Sequence, residues 1–339
     1  MGLNKEIWAQ LPPLPRKQLV ELVSMYESAG LAGIWSSQTF GAPFLPLSAA
    51  AAVSEKLKLG TGIALAFARS PLETALNAMD LDRISDGRAV LGLGSSAKSL
   101  IDAFGMPYGK PLAHMREVID LVRKVIARGH TGELGVLEGE YHTLDLSHFR
   151  TLEAPVRTEI PIYLPAVFEK AVQMSGELAD GLLAHPLWAD SWIHNQLESN
   201  LKLGLDKAGR KRSEVSVNLQ IFVAINDDKK EAINDSRANI AFYSQSPQYL
   251  RYFDAIGFGN DARAIQEAFA RNDFEAMAAA CSDEMVEAIA LVGPRDEVIK
   301  RMKARTVAAD ACTPVIPHFG LSPEKADFYT RNIADAFYD

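Results

Sequence analysis

The stretch LKLGTGIALAFARSP, Leu57–Pro71, decides the fold. Its density of apolar residues predicts a buried strand at Leu57–Leu65, and a helix follows at Pro71–Ile84. Two glycines, Gly60 and Gly62, stand in the middle of that strand. Glycine inside a strand weakens it and marks a bulge or a close approach by another group.

Outward from this unit the strand-then-helix rhythm repeats. Upstream the pattern predicts a strand at Glu6–Leu11, a helix at Arg16–Ala29 with Gly30 just past its end, a strand at Gly33–Ser37 and a helix at Pro46–Glu55. Downstream it predicts strands at Ala89–Leu93, Ile160–Leu164, Gly181–Ala184, Val215–Ile225 and Thr313–Pro317. Helices at Leu112–Arg128, Lys170–Ala179, Ser191–Ala208 and Arg295–Arg305 separate them, and a closing helix spans Pro323–Ala336. Two stretches break the rhythm. Gly135–Leu144 alternates around Glu138-Gly139 and reads as a hairpin, and Lys229–Ile289 is mostly helical. Eight strands alternating with helices predict an α/β fold, a (β/α)8 TIM barrel forming a single domain over residues 1–339. Its insertions are a hairpin at about 132–150 and a helical segment at about 229–289. A doubly wound open sheet is the alternative.

Composition narrows the function. The 339 residues are 48% hydrophobic and 23% charged, as in ordinary globular proteins, and the net charge is −8. An acidic chain without a basic block is a poor partner for nucleic acid. No apolar run reaches about 18 residues, so no membrane span is expected. MGLNKEIW lacks the order of a signal peptide, and Glu6 stands where a myristoylation motif wants Ser or Thr. Cys281 and Cys312 form no CxxC pair and suggest a reduced, cytoplasmic protein. The seven histidines show no HExxH or similar spacing, so no metal site is expected.

In a barrel of this kind chemistry sits at the C-terminal strand ends. Those ends are small and mostly uncharged: Gln10-Leu11-Pro12, Ser36-Ser37-Gln38-Thr39, Gly62-Ile63-Ala64, Gly94-Ser95-Ser96, Pro165-Ala166-Val167, His185-Pro186, Asn218–Gln220 and Pro317-His318. Such a lining suits a flat, uncharged ring. Gly92–Ala97 matches GxGxxA, but the dinucleotide fingerprint belongs directly after a first strand, and this match follows the fourth. Trp8, Trp35, Phe40, Phe44, Phe67 and Trp188 fall near strand ends and are candidates for a pocket wall, with core packing as the plainer explanation. Asp86-Gly87-Arg88 reads as a turn, and Asp82-Arg83 as surface or inter-helix pairing.

Four segments together, GLAGIWSS (Gly30–Ser37), LGTGIALAFARSP (Leu59–Pro71), LDRISDGRAVLGLGS (Leu81–Ser95) and IPIYLPAV…GELADG (Ile160–Gly181), resemble the luciferase-like flavin and deazaflavin oxidoreductases. FYSQSPQYL and EAIALVG resemble a branch of that superfamily assigned to coenzyme F420. The resemblance implies a cis peptide at Gly62–Ile63 behind a tricyclic ring. It places Gly94, Ser95 and Ser96 beside the ring, and a phosphate near Ala166, Val167, Phe168 and His185. It implies coenzyme F420, with FMN as the alternative cofactor, a small-molecule substrate and a homodimer. The FMN alternative brings a partner flavin reductase.

The chain also departs from those relatives. Gln38-Thr39 replaces an acidic residue followed by His, and Ala97-Lys98 replaces a Glu position. The usual acid–base pair is therefore missing, and Gln38, Thr39 and Lys98 are the polar candidates for catalysis. Phe168-Glu169 stands where relatives have Gly-Pro, which sets a carboxylate beside the expected phosphate. Three functions follow as expectations: hydride transfer with coenzyme F420, an FMN-dependent two-component monooxygenase, and a non-catalytic relative with a degraded cofactor site.

Overall fold

The computed structural model describes residues 3–38 and 41–338. Eight parallel strands close into a barrel. They are β1 (Glu6–Gln10), β2 (Gly33–Ser36), β3 (Lys58–Thr61), β4 (Ala89–Gly94), β5 (Ile162–Ala166), β6 (Gly181–Ala184), β7 (Ser216–Ile225) and β8 (Ala311–Val315). Each pairs with its neighbour in chain order, and β8 returns to β1 through Glu6 opposite Ala311 and Ile7 opposite Cys312. Closure excludes the open sheet, and with it the dinucleotide reading of Gly92–Ala97.

The outer helices are α1 (Arg16–Ser28), α2 (Phe44–Ala51), α3 (Pro71–Ile84), α4 (Pro111–Arg128), α5 (Glu169–Leu178), α6 (Glu198–Ala208), α7 (Lys229–Ser244), α8 (Arg295–Arg305) and α9 (Pro323–Phe337). Their starts follow local chemistry. Ser70 accepts the Glu73 amide at 3.0 Å ahead of Pro71, and Ser322 and Asp228 cap α9 and α7 in the same way. Residues 135–138 and 143–146 form the expected hairpin, and short helices follow α7 as far as Ile289.

Several boundaries differ from the sequence reading. α2 begins two residues before Pro46, since a first helical turn tolerates proline. β3 stops at Thr61, and a short piece at Ala64–Leu65 continues beside β4. Residues 98–103 form a short helix ahead of FGMPYGKP. Leu291–Gly293 adds a strand beside the far half of β7 that the sequence reading lacked.

Trp8 and Trp35 are core residues, not pocket walls. Their indoles stack 4.2 Å apart, and Tyr163 tilts against Trp35 at 5.6 Å. They cluster with Val90, Leu183 and Ala311. Side chains from opposite strands meet here, so the cluster fills the barrel interior, as in other barrels of this type. Glycines supply the room. A Cβ on Gly33 would lie 2.6 Å from the Trp8 ring, and one on Gly60 would fall inside the Trp35 indole.

Asp82 is likewise not a surface residue. It is 1% exposed, it pairs with Arg157, and it accepts the Ala89 amide at 3.2 Å. Arg157 also donates to the Ala89 carbonyl at 2.8 Å. The pair thus clamps the N-terminal start of β4 to the chain ahead of β5. The turn at Asp86-Gly87 is as expected, with φ of 52° and 82°.

Candidate active site

The strand ends of β3 and β4 form a small, uncharged surface. Gly62, Ile63, Ser95, Ser96 and Ala97 are all half-buried, and Gly94 is buried beneath them. The Gly62–Ile63 peptide is cis, as the resemblance implies. Ile63 and Pro165 occupy the space a side chain on Gly94 would need. Ser96 adopts φ +57°, a left-handed conformation uncommon for residues other than glycine. Its carbonyl accepts the Tyr108 hydroxyl at 2.8 Å.

Across the mouth, Ala166 ends β5 and accepts the His185 amide at 3.1 Å, while Trp188 donates to the Val167 carbonyl at 3.1 Å. Both bonds fix the loops after β5 and β6 against each other. His185 is half-buried, and burial pushes its pKa down to about 4. Its Nδ1 accepts the Leu187 amide at 3.3 Å, so the neutral ring carries its proton on Nε2. Glu169 does not stand as a bare charge in this loop. Arg251 donates to it at 2.9 Å, and the same guanidinium lies 4.1 Å over the Phe168 ring.

The aromatic wall comes from a segment the sequence reading did not place at the site. Tyr243 at the end of α7 and Tyr249 after it meet the His185 ring at 5.1 and 5.7 Å, and Tyr249 lies 6.3 Å from Phe168. The signal was FYSQSPQYL itself, where Pro247 breaks the helix between two tyrosines. Trp188 and Phe67, offered as wall residues, are buried. Phe44 is also buried, and Phe40 lies outside the described residues.

The three catalytic candidates separate. Gln38 is 8% exposed, and its side-chain carbonyl accepts the Leu65 amide at 2.9 Å and Arg69 Nη2 at 3.0 Å. Only its amide nitrogen is left as a donor toward a substrate. Arg69 was not singled out in the sequence, yet its Nη1 is buried with no partner among the described residues, and burial lowers its pKa. Lys98 lies on the short exposed helix and pairs with Asp102 one turn on, at 2.7 Å. Thr39 lies outside the described residues. Among the described residues no group of three or more His, Cys, Asp or Glu side chains is placed to hold a metal ion, and no helix is long and apolar enough to cross a membrane.

Known proteins share this architecture. The chain is 34% identical over 284 residues to an uncharacterised protein of Mycobacterium tuberculosis, covering 82% of this chain and 84% of that one. It is 28% identical over 324 residues to a second protein of that organism, provisionally named a coenzyme F420-dependent oxidoreductase, covering 89% and 90%. The coenzyme F420 dependent tetrahydromethanopterin reductase of Methanopyrus kandleri superposes with a TM-score of 0.81 at 23% identity, covering 99% of both chains. The family profile described as luciferase-like monooxygenase matches residues 5–311, and the chain belongs to that family.

Proposed function

We propose that this protein is an oxidoreductase that transfers hydride between coenzyme F420 and a small organic substrate. The observation that carries the proposal is the half-buried, charge-free surface of Gly62, Ile63, Ser95, Ser96 and Ala97 at the barrel mouth. A flat ring system finds van der Waals contact there and no charge to desolvate. The relative named for coenzyme F420 supports the choice of cofactor.

When bound, the coenzyme supplies the hydride chemistry of its ring. The chain's part is to position and to exclude water. Gly62 and Ile63 back the ring, and Gly94–Ser96 border its edge. Ala166, Val167, Phe168 and His185 receive the phosphate-bearing end. Neutral His185 offers an Nε2 donor there, and Arg251 offsets the carboxylate of Glu169. Tyr243 and Tyr249 wall that same end, beside His185 and Phe168. The Gln38 amide nitrogen donates to a substrate carbonyl, and Lys98 serves only if it leaves Asp102.

Fluorescence titration with reduced coenzyme F420 and with reduced FMN tests the reading. Tighter binding of the deazaflavin is expected. Tighter FMN binding with oxygen consumption would replace it by the two-component monooxygenase, and absence of both by a non-catalytic relative.

A further inference from the structure

A continuous chain of contacts runs from the inserted hairpin to the Gly94–Ser96 loop. At its outer end the Glu117 carboxylate of α4 accepts three backbone amides of the hairpin, those of Glu140, Tyr141 and His142, at 2.6, 3.0 and 2.6 Å. His142 then meets His114, also on α4, with their Nε2 atoms 2.7 Å apart. His114 Nδ1 lies 2.9 Å from the Tyr108 carbonyl, and the Tyr108 hydroxyl holds the carbonyl of Ser96. The His114 ring is 1% exposed and stacks between Phe67 at 3.8 Å and Tyr141 at 4.3 Å.

The bonding fixes the protons. The Tyr108 carbonyl only accepts, so His114 Nδ1 carries hydrogen. In neutral His114 the other nitrogen, Nε2, must then accept, and His142 Nε2 donates. The pair has room for one added proton, taken on His142 Nδ1 while His142 Nε2–H still donates to His114. It has none for two, because two N–H groups and two positive charges would then face each other across 2.7 Å. The groups facing the pair are Glu117 on α4, the phenol of Tyr141 in the hairpin, the phenol of Tyr108 ahead of α4, and the uncharged ring of Phe67. One carboxylate does not offset two charges in so buried a place.

We propose that Tyr108 is a positioning residue for the Gly94–Ser96 loop, and that the neutral His114–His142 pair docks the hairpin that keeps Tyr108 in place. Ser96 is held in its left-handed conformation by the Tyr108 hydroxyl, and that shapes the edge offered to a cofactor. Burial and the neighbouring His114 keep the His142 pKa below its ordinary value against the opposing charge of Glu117, so acid loosens the hairpin and then the loop. The consequence for a cofactor rests on the proposed site; the coupling of hairpin to loop does not.

Hydrogen exchange of residues 92–100 and 135–146 tests it, read at pH 7.5 and pH 5 alongside titration with reduced coenzyme F420. Tyr108→Phe keeps the ring on Phe67 and removes only the hydroxyl. Loop exchange should rise by about tenfold, the worth of one hydrogen bond, with the hairpin unchanged. In the parent, both segments should lose protection at pH 5, measured against the slower intrinsic exchange of amides in acid. His142→Gln retains an N–H donor to His114 without titrating, and should remove the acid response while exchanging like the parent at pH 7.5. Unchanged loop exchange in Tyr108→Phe overturns the proposal whatever the coenzyme does. Acid opening of the hairpin without the loop also overturns it. Faster loop exchange in a protein whose parent binds no coenzyme supports the coupling and rejects the cofactor site.

Discussion

The indole of Trp35 occupies the space in which side chains on Gly60 and Gly62 would lie. Trp35 on β2 is in register with Gly60 on β3, and a Cβ on Gly60 would enter its six-membered ring. One on Gly62 would sit 2.8 Å from the Trp35 Cβ. Both glycines of the opening stretch therefore answer to a residue of the neighbouring strand, before any cofactor is considered.

Gly60→Ala should destabilise the protein by about 1–3 kcal/mol, the usual cost of overpacking a filled core. Much of that loss should disappear when the change is made in a Trp35→Leu background, because the colliding atoms are gone. Urea unfolding of the parent, both single variants and the double variant measures the coupling. Additive losses would mean that Trp35 is not what excludes the side chain.

Gly62→Val meets the Trp35 Cβ, an atom fixed to the backbone, so it should cost stability as well as any cofactor affinity. The paired measurement is thermal midpoint and reduced coenzyme affinity. Loss of affinity beyond what Gly60→Ala shows at equal stability would support the ring position over Gly62.

Asp82→Asn should cost about 2–3 kcal/mol. A fully buried pair loses about 3–5 kcal/mol when one partner goes, and Arg157 is one-third exposed, so water screens part of the charge left behind. Denaturant midpoints for Asp82→Asn and for Asp82→Asn with Arg157→Leu check this, the double variant recovering part of the loss.

His185 sets a pH dependence. Its folded pKa is lowered from 6.5 to about 4 by burial, so the unfolded chain binds the proton more readily. The stability it contributes is complete above about pH 6.5 and declines as pH falls toward 4. Unfolding at pH 7.5, 5.5 and 4.5 should show a shallower decline in His185→Gln than in the parent. Coenzyme affinity should carry no His185 titration between pH 6 and 8.

Arg251→Gln should leave the thermal midpoint nearly unchanged, since the Arg251–Glu169 pair is largely exposed. Affinity for the phosphate-bearing coenzyme should fall severalfold in dilute buffer, because Glu169 is then unopposed beside the loop. The difference should shrink at high salt, where exposed charges are screened. Equal affinities at low salt would move the phosphate away from this loop.

Much of this was legible without a structure. Strand and helix types follow from local periodicity, so α3 at Pro71–Ile84, β6 at Gly181–Ala184 and α8 at Arg295–Arg305 lie where the pattern put them. The extra strand at Leu291–Gly293 escaped because three residues hold too little periodicity, and its strand character comes from pairing with β7. Trp8 and Trp35 were ambiguous between wall and core for a similar reason, since their sequence neighbours do not say which way a strand's side chains face.

By itself the sequence determined the alternation of elements, the barrel, the glycine-bearing strand ends and the family, because each is written in residues close together along the chain. Only the tertiary structure decided what those residues meet. Trp35 fills the space over Gly60, Arg157 reaches Asp82 from 75 residues away, and Tyr243 arrives beside His185 from the helical insertion. Such partners are chosen by closure of the barrel, which brings together side chains that no local pattern connects.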